Sequence, residues 1–360
     1  MIRFKTTTSD SFFGNFLYDQ ILDPKHFLVR ARNEIRWSEI CSDLVLSYKG
    51  GGEFGPAAYP PDLLLRYLLI PYLFNISERQ AEEMVSVNLL AKYFVGLGVD
   101  QPSPDHSTLT VFKKRISQLK GGNIWNRLFV RVLRKAKRLG IVFGTVQIID
   151  STHTTANVNL SKDNERKKNG KPPHDPDAKF GVKRVTNEIK KDSQGQTTNF
   201  KNKKSIYGYK AHTSINAKTK LITALTVTGA NSPDGQEFIP LVKKDRKVNH
   251  KINGYTADKG YDDINNHNYC TNRKIFSAIV IKNNRKQKHW LDLKDNPTYQ
   301  QLTKLRPQIE AKFGEEKQQH GFDLCRYIGI KNYQIQASLT AITVNLKRMM
   351  SLTSPCLAYG

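Results

Sequence analysis

The stretch Val142 to Ile149 reads as a strand buried in a sheet, and its end, Val146-Gln147-Ile148-Ile149, runs straight into Asp150 and then Ser151-Thr152. A short apolar run of this kind needs sheet neighbours and cover on its faces. A carboxylate placed where such a strand leaves the sheet costs several kcal/mol unless a cation pairs with it. Asp258 repeats the arrangement after Gly254-Tyr255-Thr256-Ala257, and Gly260 beside it allows a sharp turn away. Two strands that both end in Asp can present two carboxylates to one cation.

A third carboxylate lies further on. Asn296 to Gln319 reads as a polar surface helix with one apolar edge, and Pro307 favours a start close to Arg306. On that helix Arg306, Glu310, Phe313 and Lys317 fall at i, i+4, i+7 and i+11, so a carboxylate is flanked by two cations on one face. Oxygen ligands suit Mg²⁺, and cations beside them suit phosphate. The plainer reading of Arg306 and Glu310 alone is an exposed i, i+4 ion pair. Likewise Asp258-Lys259-Gly260 alone is a turn, so the chemistry rests on the set. Two divalent ions held by three carboxylates are sufficient for phosphodiester displacement.

The rest of the chain divides at a change of pattern near residue 140. Before it the reading is helical. Pro60-Pro61 opens a run with Leu64, Leu68 and Tyr72 at one-turn spacing, Ser77 with Gln80 gives a capping box, and Asp105 caps a helix with Leu109, Phe112 and Ile116 on one face. Lys113, Lys114 and Arg115 lie around the other face. A basic amphipathic helix, Ile124 to Arg138, follows. After Gly140 come short β-rich runs: Tyr209 to Ile215 and Leu221 to Val227 joined by a turn, Tyr255 to Ala257, and Ile275 to Ile281, with a helix at Gln236 to Lys244. Residues 1–139 are therefore expected as a helical domain and 140–350 as an α/β or α+β domain with a central mixed sheet. Residues 161–206 read as a mobile polar insertion, and 161–220 hold 16 basic against 6 acidic residues.

The chain as a whole has 57 Lys and Arg against 32 Asp and Glu, a formal net charge of +25. That excess favours a polyanionic partner. Apolar runs fall short of a membrane span, and Met1 to Ser11 holds no secretory signal, so a cytosolic location is expected. Cys41, Cys270, Cys325 and Cys356 have neither zinc nor disulfide spacing. Gly50-Gly51-Gly52 lacks the Lys-Ser/Thr of a phosphate loop, so no nucleotide cofactor is expected. His153, three residues after Asp150, and the loop Asn231 to Asp234 read as structural or turn-forming.

Taken in order, Tyr59-Pro60-Pro61, Ser77-Glu78-Arg79, Asp105-His106-Ser107-Thr108-Leu109, Ile149-Asp150-Ser151-Thr152, Asp175-Pro176-Asp177-Ala178, Gly208-Tyr209-Lys210-Ala211-His212, Asp258-Lys259-Gly260-Tyr261-Asp262 and Arg306 to Lys317 with His320-Gly321 and Arg326 resemble insertion-sequence transposases of the DDE type. The resemblance covers nearly the whole chain. It implies a helical N-terminal domain for DNA binding or multimerisation and a ribonuclease H-like domain with a central mixed five-stranded sheet. It also implies that Asp150, Asp258 and Glu310 bind two Mg²⁺ or Mn²⁺ ions. DNA contacts are expected from Arg306, Lys317, Arg326, Lys113, Lys114 and Arg115, and from Lys210 and His212 on their strand. The partners implied are the element's terminal inverted repeats and target DNA, engaged by a homodimer or larger synaptic assembly at the nucleoid. The family's Tyr before the Arg is Thr303 here, with Tyr299 one turn earlier as its substitute. A DNA-binding regulator that does not cut, or a nuclease without strand transfer, are the alternative readings.

Overall fold

The computed structural model describes residues 2–5, 12–48, 57–191 and 197–353, with the backbone alone for 12–15, 183–191 and 197–204. Gly50 to Gly52 and Cys356 lie outside the described residues. The chain forms two units. The first comprises Met1–Val142, Gln319–Gly321 and Ser338–Gly360, and the second Phe143–Gln318 and Phe322–Ala337. The second unit's end at Ala337 differs from a linear division running to residue 350.

The first unit is helical: α1 (Phe12–Ile21), α2 (Phe27–Glu34), α3 (Trp37–Ile40), α4 (Pro61–Leu73), α5 (Glu78–Val87), α6 (Leu89–Val95), α7 (His106–Ser117) and α8 (Ile124–Arg138). Pro61 occupies the first turn of α4, where its missing N–H is no loss. Leu63 to Tyr72 are all buried, so α4 is enclosed on every side rather than amphipathic. Ser77 and Gln80 make the expected reciprocal cap, Gln80 N–H to Ser77 Oγ at 3.2 Å and Ser77 N–H to Gln80 Oε1 at 2.9 Å. Along α8 Trp125, Leu128, Phe129, Val132 and Ala136 are buried, while Arg131 pairs with Asp43.

The second unit is built on a six-stranded mixed sheet. Its elements are β1 (Val146–Thr155), α9 (Leu160–Lys168), β2 (Lys179–Lys191), β3 (Thr197–Asn216), β4 (Ile222–Gly229), α10 (Phe238–Val248), β5 (Gly254–Ala257), α11 (Ile264–Thr271), β6 (Phe276–Ile279), α12 (Lys288–Asp295), α13 (Pro297–Thr303), and the parts of α14 (Pro307–His320) and α15 (Ile330–Leu352) that end at Gln318 and Ala337. The strand order is β2-β3-β1-β5-β6, with β4 also on β3. Five strands were expected. The sixth arises because β3 is 20 residues long and does two jobs. Residues 208–216 lie between β1 and β4, and residues 197–208 form an antiparallel ribbon with β2. The segment read as a mobile insertion therefore carries α9, β2 and half of β3.

Close approach at the junction explains a glycine. A Cβ at Gly208 would lie 2.2 Å from the Thr154 carbonyl oxygen, so a side chain there would push β3 off β1. The Asp175-Pro176-Asp177-Ala178 segment also has a physical role. Fully buried Asp175 accepts the Tyr209 hydroxyl at 2.6 Å and the Gly329 N–H at 3.3 Å, and Asp177 accepts the Ile330 N–H at 3.0 Å. These carboxylates fasten the first turn of α15 to β3.

The long polar helix expected at 296–319 is two helices, α13 and α14, interrupted at 304–306. Ile149, Ala224 and Ala257 of the sheet pack against Phe238, Leu241 and Val242 of α10 in one apolar core. Asp245 of α10 is sealed in with them, 0% exposed, and both its oxygens lack aligned hydrogen bonds although Ser214, Thr223 and Tyr255 hydroxyls stand nearby. Burial outweighs those hydroxyls and raises its pKa to about 7. The folded state thus holds a proton that the unfolded chain releases near pH 4, and the associated stability falls as pH rises to about 7. Between pH 5 and pH 8 the Asp245→Asn variant should gain about 2–3 kcal/mol in unfolding free energy relative to the parent. Denaturant titrations at the two pH values test this; a constant difference would refute it.

Candidate active site

Strands β1 and β5 run parallel with Val146 opposite Gly254 and Ile149 opposite Ala257. Ile149–Ala257 is the last pair, so Asp150 and Asp258 occupy the next position on each strand. Asp150 is not at the end of its strand, as expected, but midway along it. β3 continues to pair with β1 out to Thr155, and β5 stops at Ala257. The run Ser151-Thr152-His153-Thr154-Thr155 is polar yet rich in β-branched residues, which suits a supported strand. Asp150 therefore has β3 on one flank and the end of β5 on the other.

Asp150 is half-buried, and its Oδ1 accepts the Ser151 N–H at 2.8 Å. Burial raises its pKa to about 7; the Asp258 charge adds to the rise, while the Ser151 N–H and the Arg306 charge oppose it. Asp258 precedes the 3₁₀ turn Lys259–Tyr261, and its Oδ1 lies 2.9 Å from Nη2 of Arg306. Arg306 sits just before α14, so its guanidinium pairs with Asp258 and not with Glu310. Glu310 is exposed in the first turn of α14, where a negative charge complements the helix dipole. The three carboxylates do not close into one set: among the described residues Glu82, Asp105 and His106 form the trio whose ligand atoms all lie within 4.8 Å of one another. Helix capping accounts for that trio, since Glu82 accepts both the N–H and the ring of His106 at the start of α7.

Asp234 is the residue that sequence reasoning missed. Its Oδ1 accepts the Ser151 hydroxyl at 2.9 Å and the Lys210 ammonium at 3.0 Å, with His212 Nδ1 at 3.6 Å. Lys210 is 7% exposed and also donates to the Ser232 carbonyl; His212 is fully buried against Thr228 and Tyr261. Lys210 and His212, expected to contact DNA, thus both lie buried, on a face of β3 that turns inward. Tyr209 and Ala211, on the opposite face of β3, are buried as well, so the alternation of polar and apolar residues marks neither face as surface. Half-buried His153 is drawn down to about pKa 4, chiefly by burial and then by the Lys210 charge.

Other expected contacts separate in the same way. Lys113 is paired with Glu78, whereas Lys114 and Arg115 are exposed on α7, whose apolar face Leu109, Phe112 and Ile116 is core. Lys317 and Arg326 are partly exposed. Tyr299 does not take the place of the missing Tyr: it is 7% exposed, packed with Trp290 and Leu302, and its hydroxyl accepts the Ile281 N–H. Thr303 bonds back to the Tyr299 carbonyl and ends α13.

Residues 143–346 match the family described as Transposase DDE domain, and residues 16–115 the one described as Transposase domain (DUF772). This chain belongs to the DDE-domain transposases. It shares with them the coarse features of that family, enzymes that cleave nucleic acid and use divalent metal ions. The structure of a piggyBac transposase synaptic complex with hairpin DNA aligns over 94% of this transposase and 76% of that chain, at 10% identity and a TM-score of 0.42, too distant to transfer any residue's role. Among the described residues of the transposase no helix is long and apolar enough to cross a membrane.

The inward position of Lys210 has a measurable consequence. Lys210→Ala leaves Asp234 without its cation and should lower the unfolding free energy by about 1–3 kcal/mol, whereas Lys114→Ala should stay within about 0.5 kcal/mol of the parent. Denaturant unfolding compares them; equal, negligible effects would place Lys210 among the surface cations.

Proposed function

We propose that this chain is the transposase of an insertion sequence. It binds the element's terminal inverted repeats, cuts there, and joins the freed 3′ ends to target DNA, with Asp150, Asp258 and Glu310 as its metal-binding acids. The observation that carries this reading is that Asp150 and Asp258 each follow directly on the last register pair of two parallel strands, Ile149 and Ala257. Ligand sites outside the carboxyl ends of parallel strands are the general rule for such sheets.

The donor set fits a divalent cation. A half-buried carboxylate whose proton affinity is raised by burial and by a neighbouring carboxylate's charge gains from a hard cation with oxygen ligands. Glu310 would complete the set from the start of α14. Mg²⁺ or Mn²⁺ ions held there, two in number, would activate the attacking oxygen and stabilise the leaving one.

The chain's own cations divide the remaining work. Arg306 fixes Asp258, and its charge tempers the negative pair. The partly exposed Lys317 and Arg326 and the exposed Lys114 and Arg115 meet backbone phosphates. In cleavage, water attacks the phosphodiester at the element end, one P–O bond forms, another breaks, and a 3′-hydroxyl leaves. In joining, that hydroxyl attacks a target phosphodiester in the same sense, so no enzyme side chain is covalently involved. The net charge of +25 supports salt-sensitive DNA binding, and synapsis of two ends calls for at least two copies. The work belongs in the cytoplasm, at the nucleoid.

Asp150→Ala, Asp258→Ala and Glu310→Ala should each abolish Mn²⁺-dependent cleavage and joining of a fragment carrying the terminal repeats, while DNA affinity stays within about threefold. Joined products from any of the three would overturn the assignment of that acid. Cleavage by the parent without joined products would identify a nuclease, and binding without cleavage a regulator.

A further inference from the structure

Asp234 comes from the 3₁₀ turn Asp234–Glu237 after β4, remote in sequence from both Asp150 and Asp258, yet it touches the neighbour of each. On one side it accepts the hydroxyl of Ser151, whose backbone N–H is bound by Asp150. Ser151 therefore links the two carboxylates through a single residue. On the other side Asp234 packs on Gly260, two residues after Asp258, so closely that a Cβ at Gly260 would lie 2.8 Å from Oδ2. A second strap holds the two turns together, because the Asn266 amide donates to both the Gly235 and the Tyr261 carbonyls, at 2.9 and 3.0 Å. Lys210 matches the Asp234 charge from within, so this carboxylate is committed to internal bonds.

We infer that Asp234 is a positioning residue: by fastening Ser151 of β1 and the turn at Gly260 to one anchor, it sets the separation of Asp150 and Asp258 and hence their affinity for a divalent cation. This rests on the metal-binding reading of those two acids. Groups that orient metal ligands without touching the ion typically contribute about 10–100-fold to its affinity. A carboxylate whose partners are Ser151 and Lys210 can orient in this way, and an amide in its place loses half of its accepting capacity and its charge.

The test uses the full chain and Mn²⁺ alone, followed by isothermal titration calorimetry without DNA. Asp234→Asn should weaken Mn²⁺ binding about 10–100-fold, and Gly260→Ala should do so in part by displacing the same carboxylate. Ser151→Ala removes one hydroxyl, leaves the Lys210 pair intact, and should weaken binding several-fold. Combined with Asp234→Asn it should add little further, since the two changes break one link. In the cleavage assay the half-saturating Mn²⁺ concentration should rise for Ser151→Ala, with the rate at saturating metal largely recovered. If Asp234→Asn does not fold, Ser151→Ala carries the test alone. Mn²⁺ affinity equal to the parent in Ser151→Ala, or in a folded Asp234→Asn, would overturn the inference. Asp150→Ala separates the two levels: if it too binds Mn²⁺ like the parent, the metal-site reading itself fails, whereas if it abolishes binding while the others do not, only the role of Asp234 falls.

Discussion

The parallel pairing of β1 with β5 is the constraint on which the rest of the second unit depends. Parallel neighbours cannot be joined by a tight turn, so everything from the end of β1 to the start of β5 is a crossover: the ribbon, β3, β4 and α10. In return, the two strands run in the same direction and their last paired residues, Ile149 and Ala257, lie at the same level. The register that matches Ile149 to Ala257 makes Asp150 and Asp258 neighbours although 108 positions separate them in number. A slip of one residue would turn one carboxylate to the opposite face of the sheet.

Local patterns carried part of this into view. The apolar runs before Asp150 and Asp258, the proline start of α4 and the capping box of α5 are features of single segments, and periodicity and capping chemistry reach that far. What escaped was set by partners distant in the chain. β1 continues to Thr155 because β3 supports a stretch that looks too polar for a strand. Arg306 turns to Asp258 instead of the i+4 carboxylate because α14 begins one residue after it. Asp234, in Ser232-Pro233-Asp234-Gly235, has the composition of a turn, and nothing nearby announces that Ser151, Lys210 and Gly260 converge on it.

Lys210 and His212 show the same limit from the opposite direction. A cation and a histidine on alternate positions of a strand in a +25 chain suggest a face turned to a polyanion. Antiparallel pairing sets Ser151 against His212 and His153 against Lys210, and the shared face is closed by the turn that bears Asp234. The charge excess is a property of the surface as a whole. It does not say which basic residue is committed to balancing an acid inside.

The acids of the second unit differ in how they are balanced. Burial alone would raise Asp262, but the Lys282 N–H, Arg285 and His267 surround it and hold it below the usual range. Asp175 is enclosed by a tyrosine hydroxyl and backbone N–H groups, and Asp234 by Lys210 and Ser151. Asp150 and Asp245 lack such balance, and both are raised to about 7. They differ in access. Asp245 is sealed beneath the sheet at 0% exposure, where a proton is the available compensation. Asp150 stands where β5 ends, beside a second carboxylate, and on the proposed reading a cation arriving from outside provides what the protein interior does not.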